Sequence, residues 1–356
     1  MRIVLRLLTG LLLVVAVLAA AAFGYRAWRQ HETAQDLAIV GPNGIDEASY
    51  IAIGHIQQWI TIRGEDRANP VILILHGGPG SALSQLAPLF RGWEKDFTVV
   101  QWDQRGAGRT FGRNGAYEQP MTVDRLTRDG IEVAQYLLVH LHKKKIILLG
   151  HSWGTELGLA MVTREPGLFY AYVGTGQVVA KEEKEEYLYA HLMRRLRDAH
   201  DAEGIARLEA LGPPPYKSEA EQDIEREVAR RFDPPAERDL LLNLAPLVLA
   251  EPGYGFRDIR DYFEGRRFAG EALYREVLSF DARRLAPSVD VPIFIFNGEL
   301  DSVTPTVLAR RYFDFVAAPQ KTFVTLKAGG HSALLTMPDV FLTELKRRVR
   351  PLAVQT

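Results

Sequence analysis

A serine between two glycines, in the segment Gly150-His151-Ser152-Trp153-Gly154, is the residue whose surroundings best fit nucleophilic chemistry. The apolar run Ile146–Leu149 before it is typical of a strand buried on both faces, and the small apolar segment Leu157–Val162 after it is typical of a helix packed on a sheet. In such a sharp strand-to-helix turn the glycines avoid steric clashes and the serine hydroxyl is lifted out of the sheet. The pattern therefore predicts Ser152 as a nucleophile for acyl transfer.

A serine nucleophile needs a histidine base and an acid that orients it, and this type of site places both later in the chain, in the order serine, acid, histidine. Asp301 follows an apolar segment that begins at Val291, and His331 follows two glycines just after the predicted strand Lys321–Leu326. We expect Asp301 to hold the imidazole tautomer of His331. It would also offset the charge that forms when His331 takes the Ser152 proton.

Three alternatives for these side chains stay open at this point. Asp301 is also a good turn or N-cap acid before Thr304-Pro305, and Glu299 is a second candidate for the orienting acid. His151 lies beside the nucleophile in the sequence. We interpret it as structural, because at such a turn its side chain should point away from the serine hydroxyl.

Negative charge that develops on a substrate oxygen needs backbone N–H donors from two places in the chain. Trp153, the residue after the nucleophile, supplies the first donor. The loop His76-Gly77-Gly78-Pro79-Gly80 follows a predicted strand, and its Gly78 is expected to supply the second. Glycines let this backbone approach a substrate closely. His76 is expected to hold the loop in place.

The elements that must position these residues alternate between strand and helix, which predicts an α/β fold with a mostly parallel sheet covered by helices on both faces. The core is expected in two parts, residues 50–177 and 281–356, with predicted strands at Tyr50–Ile56 and Gln58–Ile62 at its start. Between the two parts, residues 178–280 carry almost no strand signal and are predicted to form a helical cap. A polar, turn-rich linker is predicted over residues 31–49.

Three motifs at these intervals resemble the proline iminopeptidase family of α/β-hydrolases, a group of serine aminopeptidases. They are His76-Gly77-Gly78-Pro79-Gly80, Asp103-Gln104-Arg105-Gly106-Ala107-Gly108-Arg109 and Gly150-His151-Ser152-Trp153-Gly154. The resemblance implies an α/β-hydrolase fold with a helical cap and release of N-terminal residues from small peptides. It implies Ser152, Asp301 and His331 as the triad and Gly78 and Trp153 as oxyanion donors, without a metal or a cofactor.

The cap departs from this family. Family members use cap glutamates to bind the substrate's free amino group, one of them in a Trp-rich context, whereas residues 178–280 contain no tryptophan. Candidate acids lie in the run Glu182, Glu183, Glu185 and Glu186, which is also typical of a solvated helix face. A carboxylic-ester hydrolase of the same fold therefore remains an alternative, and a non-catalytic binding protein on this scaffold is a second one.

The N-terminal segment 1–30 contains an uncharged apolar run from Leu7 to Tyr25, preceded by Arg2 and Arg6. The run is long enough to cross a bilayer as a helix. It predicts a single-pass anchor in the cell membrane, with the catalytic domain on the extracytoplasmic side. The alternative is a signal peptide cleaved among Ala19–Ala22, which would leave a secreted or periplasmic protein.

Composition excludes several other functions. The formal net charge of −1 gives no reason to expect a nucleic-acid partner. The absence of cysteine excludes disulfides, thiolate metal sites and a cysteine nucleophile. Phosphate-loop, zinc-protease and dinucleotide-binding motifs are missing as well. The expected partners are a small-molecule or short-peptide substrate and, through the N-terminal helix, a membrane.

Overall fold

A computed structural model describes residues 2–116, 120–216 and 218–354. Eight strands form one sheet in the order β1-β2-β4-β3-β5-β6-β7-β8. The strands are β1 (Ile45–Ile53), β2 (Ile56–Gly64), β3 (Val71–Leu75), β4 (Thr98–Trp102), β5 (Ile146–His151), β6 (Phe169–Thr175), β7 (Ile293–Gly298) and β8 (Lys321–Leu326). β1 pairs with β2, and β2 with β4, in antiparallel fashion, and every other pairing is parallel.

Sixteen α-helical segments lie in the described residues. They are α1 (Arg2–Asp36), α2 (Ala87–Phe90), α3 (Gly108–Asn114), α4 (Val123–His140), α5 (Trp153–Arg164), α6 (Lys181–Asp198), α7 (Ala202–Leu211), α8 (Glu219–Ala229), α9 (Pro235–Arg238), α10 (Leu240–Ala250), α11 (Phe256–Leu278), α12 (Ala282–Leu285), α13 (Thr306–Phe315), α14 (Ala333–Thr336), α15 (Pro338–Arg348) and α16 (Arg350–Val354).

The central strands are buried along their whole length, as their unbroken apolar sequences predict. Every residue of β3, β4, β5 and β7 is buried. One apolar cluster, which includes Leu148 and Leu157, lies on one face of the sheet, and a second, which includes Leu149 and Phe341, lies on the other. The predicted α/β fold, with helices on both faces of a mostly parallel sheet, is confirmed.

The first hairpin differs from its prediction in register. β1 ends at Ile53 and β2 begins at Ile56, so the turn lies at Gly54-His55 rather than after Ile56. Both turn residues have positive φ, 55° and 66°, which is the backbone of a two-residue hairpin turn whose twist matches that of the strands. The alternation of polar and apolar residues across this turn was too weak to locate it.

The linker predicted over residues 31–49 is much shorter in the structure, because α1 continues to Asp36 and β1 begins at Ile45. Tertiary hydrogen bonds stabilise the extended end of the helix. Arg91 Nε donates to the carbonyl oxygen of Asp36 at 3.2 Å, and Arg63 donates to that of Leu37. These arginines satisfy carbonyl groups that a helix C-terminus leaves without partners.

Seven helices, α6 to α12, lie between β6 and β7, and the first six of them, α6 to α11, lie in the region where the cap is predicted. α6, α7 and α8 bury a small apolar cluster of their own around Leu192, Leu196 and Leu208. α11 packs against α3, and Arg109 of α3 forms an ion pair with Asp258 of α11 at 3.1 Å. The domain limits 178–280 remain a prediction that these contacts support.

Candidate active site

The backbone at Ser152 has the strained geometry that the sequence predicts for a strand-to-helix turn. β5 ends at His151, α5 begins at Trp153, and Ser152 between them has φ 54° and ψ −123°. The flanking glycines have no room for a side chain. A Cβ atom on Gly150 would lie 2.4 Å from the carbonyl oxygen of Gly154, and one on Gly154 would lie 2.1 Å from that of Leu75.

Ser152, His331 and Asp301 lie within hydrogen-bond distance of one another. His331 Nε2 lies 3.0 Å from Ser152 Oγ, and His331 Nδ1 lies 3.1 Å from each carboxylate oxygen of Asp301. Ser152 lies in the turn after β5, Asp301 in the loop after β7 and His331 in the loop after β8, so all three lie at the carboxyl ends of parallel strands. This arrangement allows a proton to pass from the serine to a histidine whose other nitrogen is held by an acid.

The charges of the acid and the histidine are coupled. Burial lowers the pKa of His331, but the adjacent Asp301 carboxylate outweighs this effect and raises the pKa above its ordinary value. Burial likewise raises the pKa of Asp301, but the charge and hydrogen bond of His331 and the bonds from Thr304 outweigh it and lower the pKa. Asp301 is therefore ionised wherever His331 titrates.

Asp301 makes the contacts expected both of an acid that orients His331 and of a turn acid before Thr304. Its Oδ1 accepts hydrogen bonds from the backbone N–H groups of Val303 and Thr304 at 2.9 and 2.7 Å, as a turn acid does. Thr304 Oγ1 donates to Oδ2 at 2.8 Å. Glu299, the competing acid, instead accepts from the N–H of Ala328 at 3.0 Å, in an exposed position.

The N–H groups of the predicted oxyanion donors form no hydrogen bond within the described parts of the chain. Trp153 is the first residue of α5, and among the hydrogen bonds of the described residues neither its N–H nor that of Gly78 has an acceptor. The glycine loop lies against the nucleophile, since a Cβ atom on Gly77 would lie 3.1 Å from Ser152 Cβ. The unpaired N–H groups of Trp153, which follows Ser152, and of Gly78, in the loop that lies against Ser152, fit the donors that a developing oxyanion requires.

One glutamine, which the sequence did not single out, connects the two sides of this donor pair. Gln104 Oε1 accepts from Trp153 Nε1 at 3.0 Å, and Gln104 Nε2 donates to the carbonyl oxygen of His76 at 3.2 Å. The N–H of Gln104 donates to His76 Nε2 at 3.2 Å. Burial lowers the pKa of His76 to about 4, so this ring is neutral and holds the loop, as predicted from its position.

His151 does not point at the serine hydroxyl. Its Nε2 lies 3.2 Å from the carbonyl oxygen of His331, and the two rings are 5.2 Å apart. Burial, together with the neighbouring His331, lowers the pKa of His151 to about 3. A neutral ring bonded to the backbone of His331 helps to position the loop that carries His331 without adding charge to it.

Two cap acids next to the histidine loop were missed by the sequence analysis. Glu237 of α9 accepts a hydrogen bond from the N–H of Ser332 at 2.8 Å, and its other oxygen, Oε2, is buried without a partner. Asp233 accepts a short hydrogen bond from the hydroxyl of Ser302. Burial raises the pKa of both carboxyls. The only signal in the sequence was the helix break Asp233-Pro234-Pro235, which brings the chain back toward the core.

The acids that the sequence did suggest are occupied elsewhere or exposed. Glu183 pairs with Arg283 and Arg311, at 2.9 and 3.1 Å. Glu185 accepts a hydrogen bond from Gln222 at 3.1 Å, while Glu182 and Glu186 are exposed. Residues 2–116, 120–216 and 218–354 contain no cluster of His, Asp and Glu side chains with the geometry of a metal site.

Comparison with known proteins identifies a matching family and several similar relatives. Residues 70–338 match the family model described as the alpha/beta hydrolase fold. A probable aminopeptidase of Bacillus subtilis is 32% identical over 305 residues, which cover 84% of this chain and 95% of that protein. A probable proline iminopeptidase of Streptomyces coelicolor is 32% identical over 150 residues, 42% of this chain and 45% of its own length.

Solved structures agree on the fold. A proline iminopeptidase-related protein of Thermus thermophilus superposes with a TM-score of 0.58 at 21% identity, covering 87% of this chain and 99% of its own. A bacterial membrane phospholipase A superposes with a TM-score of 0.61 at 16% identity, covering 98% of both chains. At these identities the superpositions report the architecture alone.

Proposed function

The chain belongs to the α/β-hydrolase fold family, and on that premise we propose that it is a serine hydrolase that releases N-terminal residues from small peptides. The observation that carries the proposal is the continuous line from Ser152 Oγ through His331 to Asp301, with contacts of 3.0 and 3.1 Å. The aminopeptidase named among its relatives, which aligns with 84% of this chain, supports the peptide substrate.

In the proposed mechanism Ser152 Oγ attacks the carbonyl carbon of the substrate while His331 Nε2 takes the hydroxyl proton. The N–H groups of Gly78 and Trp153 then donate to the negative oxygen of the tetrahedral intermediate. His331 passes its proton to the leaving amine, which breaks the C–N bond and leaves an acyl-enzyme. Water, deprotonated by the same histidine, hydrolyses the ester and restores Ser152.

An acidic group for the substrate's amino end is available at the rim of this site. Glu237 contacts both neighbours of His331. It accepts a hydrogen bond from the Ser332 N–H, and its Oε2 lies 2.9 Å from the place that a Cβ atom on Gly330 would occupy. Its partnerless Oε2 is an acceptor that a substrate ammonium group would satisfy. We propose Glu237 as the amine-binding residue, and Asp233 as a second negative charge nearby.

A carboxylic ester is the second candidate substrate. The same serine, histidine and acid cleave esters by the same steps, with an alcohol as the leaving group. The composition of the cap favours this candidate, because residues 178–280 have no tryptophan and α10 carries a single polar residue, Asn243. An apolar helix of this kind in the cap suits an acyl chain as well as a short peptide.

We further propose that α1 anchors the chain in the cell membrane. Residues 6–36 form the one helix in the described parts of the chain that is long and apolar enough to cross a bilayer. Arg2 and Arg6 would stay in the cytoplasm, which places the catalytic domain outside. Cleavage as a signal peptide is the alternative, and it would release the domain.

Active-site labelling tests the chemistry. A fluorophosphonate probe should label the wild-type chain and the exposed-serine control Ser49→Ala, and should fail to label Ser152→Ala. Labelling of Ser152→Ala at the wild-type rate would refute the assigned nucleophile. Turnover of aminoacyl amides with a free amino group, of the same amides N-acetylated, and of short-chain aryl esters then distinguishes the two candidate substrates.

A further inference from the structure

The contacts that α1 makes with the rest of the molecule change along its length, from the core at its C-terminal end to the cap at earlier turns. The C-terminal end of the helix meets the core, where Arg91 binds the Asp36 carbonyl. One to two turns earlier, Gln30 Nε2 donates to the carbonyl oxygen of Glu251 in the cap at 2.9 Å. Still earlier, Phe23 packs edge-on against Phe256, with ring centres 5.9 Å apart. The cap therefore lies between the core and the apolar part of α1.

The attachment of α1 to the cap is made by several side chains. Arg26 donates to the carbonyl oxygen of Tyr254, and its guanidinium lies 4.6 Å from the centre of the Phe256 ring. α1 also packs against α10. These contacts begin at Phe23, close to the end of the uncharged apolar run at Tyr25, so the cap is held near the level at which the helix would leave the bilayer.

The cap exposes large apolar side chains in this region. Leu241 and Leu242, at the start of α10, are 74% and 75% exposed. Phe256 and Phe263 of α11 are also exposed. These two phenylalanines are seven positions apart, which places them on one face of the helix. The opposite side of α10 is occupied, since Leu244 and Leu247 pack on the apolar cluster of the core.

We propose that Leu241, Leu242, Phe256 and Phe263 form a membrane-contact surface, which seats the cap in the outer leaflet of the bilayer that α1 crosses. The inference rests on the proposed anchor. The occupant is a lipid surface because Phe256 continues the apolar run of α1 at Phe23, where the helix and the cap already touch, and because α10, which carries Leu241 and Leu242, also packs against α1. Exposed leucine and phenylalanine side chains are the type that an interfacial element buries in the headgroup and acyl boundary.

The surface has a consequence for the active site. α10 spans the distance between α9, where Glu237 touches the Ser332 N–H, and Glu251, where the cap meets α1. An eleven-residue helix is about 16 Å long. α10 therefore links the histidine loop to the part of the cap that is attached to the anchor helix.

Site-specific labelling tests the proposal directly, because the chain contains no cysteine. Single variants Leu242→Cys, Phe263→Cys, Leu12→Cys and Val139→Cys are each labelled with an environment-sensitive fluorophore in the full-length chain, reconstituted into phosphatidylcholine nanodiscs. Val139 is the matched control, since it is 77% exposed and apolar but lies on α4 of the core. Leu12 reports on the anchor.

We expect a lipid spin-labelled near its headgroup to quench the fluorophore at positions 242 and 263 several-fold more than at position 139. A lipid spin-labelled near the chain end should quench position 12. If position 12 is quenched but positions 242 and 263 match position 139, the contact surface is refuted and the anchor stands. If position 12 is not quenched, the anchor fails and the inference fails with it.

A charge variant provides the second measurement. Leu241→Glu/Leu242→Glu in the Phe263→Cys background should reduce quenching at position 263 to the level of the core control. Val139→Glu in the same background should leave it unchanged. Thermal unfolding of both variants checks that they fold. Undiminished quenching at position 263 in a folded double variant would overturn the role of the two leucines.

Discussion

The carboxylate of Glu237, in the predicted cap, accepts a hydrogen bond at 2.8 Å from the N–H of Ser332, the residue after His331. This bond joins the helical insertion to the loop that carries His331. Glu237 has one oxygen committed to this loop and a second, buried oxygen without a partner. The cap is thus in direct contact with the proposed chemistry, through a group able to bind a cation.

The variant Glu237→Gln should separate amine recognition from bond cleavage. The amide oxygen of the introduced glutamine retains the bond to Ser332, whereas the negative charge is lost. We expect kcat/KM for peptides with a free amino end to fall about 10- to 100-fold, the value of a hydrogen bond to a charged group. Turnover of aryl esters should change little.

The control for that experiment is Glu186→Gln, which neutralises an exposed acid on α6. It should leave both activities unchanged. Equal losses on peptide and ester substrates in Glu237→Gln would argue that the residue supports the loop and does not bind the amine.

Removal of the serine hydroxyl should abolish turnover while sparing substrate binding. We expect Ser152→Ala to lower kcat about 10⁴-fold or more, because no other group supplies the nucleophile. Calorimetric titration should show that a slowly hydrolysed substrate still binds. Residual turnover near the wild-type rate would move the nucleophile to another residue.

The pH dependence should report His331. The imidazole acts as a base only when neutral, so kcat/KM should rise with pH through its pKa. Burial alone would lower that pKa, but the Asp301 carboxylate raises it above its ordinary value of about 6.5. The midpoint of the rise should therefore lie above that value in a profile measured between about pH 5 and 9.

Asp301→Asn tests the source of this shift. The variant removes the charge that raises the pKa of His331 and leaves the effect of burial, so the midpoint should move to lower pH. kcat should also fall about 10⁴-fold, because the amide no longer stabilises the imidazolium or its tautomer. An unchanged midpoint would show that another group sets the pKa.

Gly154 should tolerate no side chain. A Cβ atom there would lie 2.1 Å from the backbone oxygen of Leu75, which is fixed within the sheet. We expect Gly154→Ala to lower the free energy of unfolding by about 1–3 kcal/mol or more. Gly270→Ala is the control, since no atom lies within 4 Å of its Cβ position in α11. It should stabilise the helix by up to about 1 kcal/mol.

The anchor should be retained in the mature protein. We expect the chain to stay with membranes after alkaline carbonate extraction and to begin at its encoded N-terminus by mass spectrometry. A protease added from the extracytoplasmic side should digest the catalytic domain. A mature chain that begins after Ala22 would establish cleavage of a signal peptide instead.

The sequence alone predicted the α/β fold, because β3, β5 and β7 are short unbroken apolar runs that only a sheet covered on both faces accommodates. It also identified the serine turn, because the glycine pattern and the strand and helix that flank it lie within a few residues, although the clash that excludes a side chain at Gly154 involves the distant Leu75. The family resemblance followed from the same compact motifs, and the comparisons confirm it.

Tertiary structure decided the relationships between distant segments. The 3.0 Å contact of Ser152 with His331 joins residues 179 positions apart, and Glu237 reaches Ser332 across 95 positions. The extension of α1 to Asp36 likewise depends on bonds from Arg63 and Arg91. Local sequence determines the strands, helices and turns. The packing of these elements against one another determines which cap acid contacts the histidine loop, and that packing depends on the whole chain.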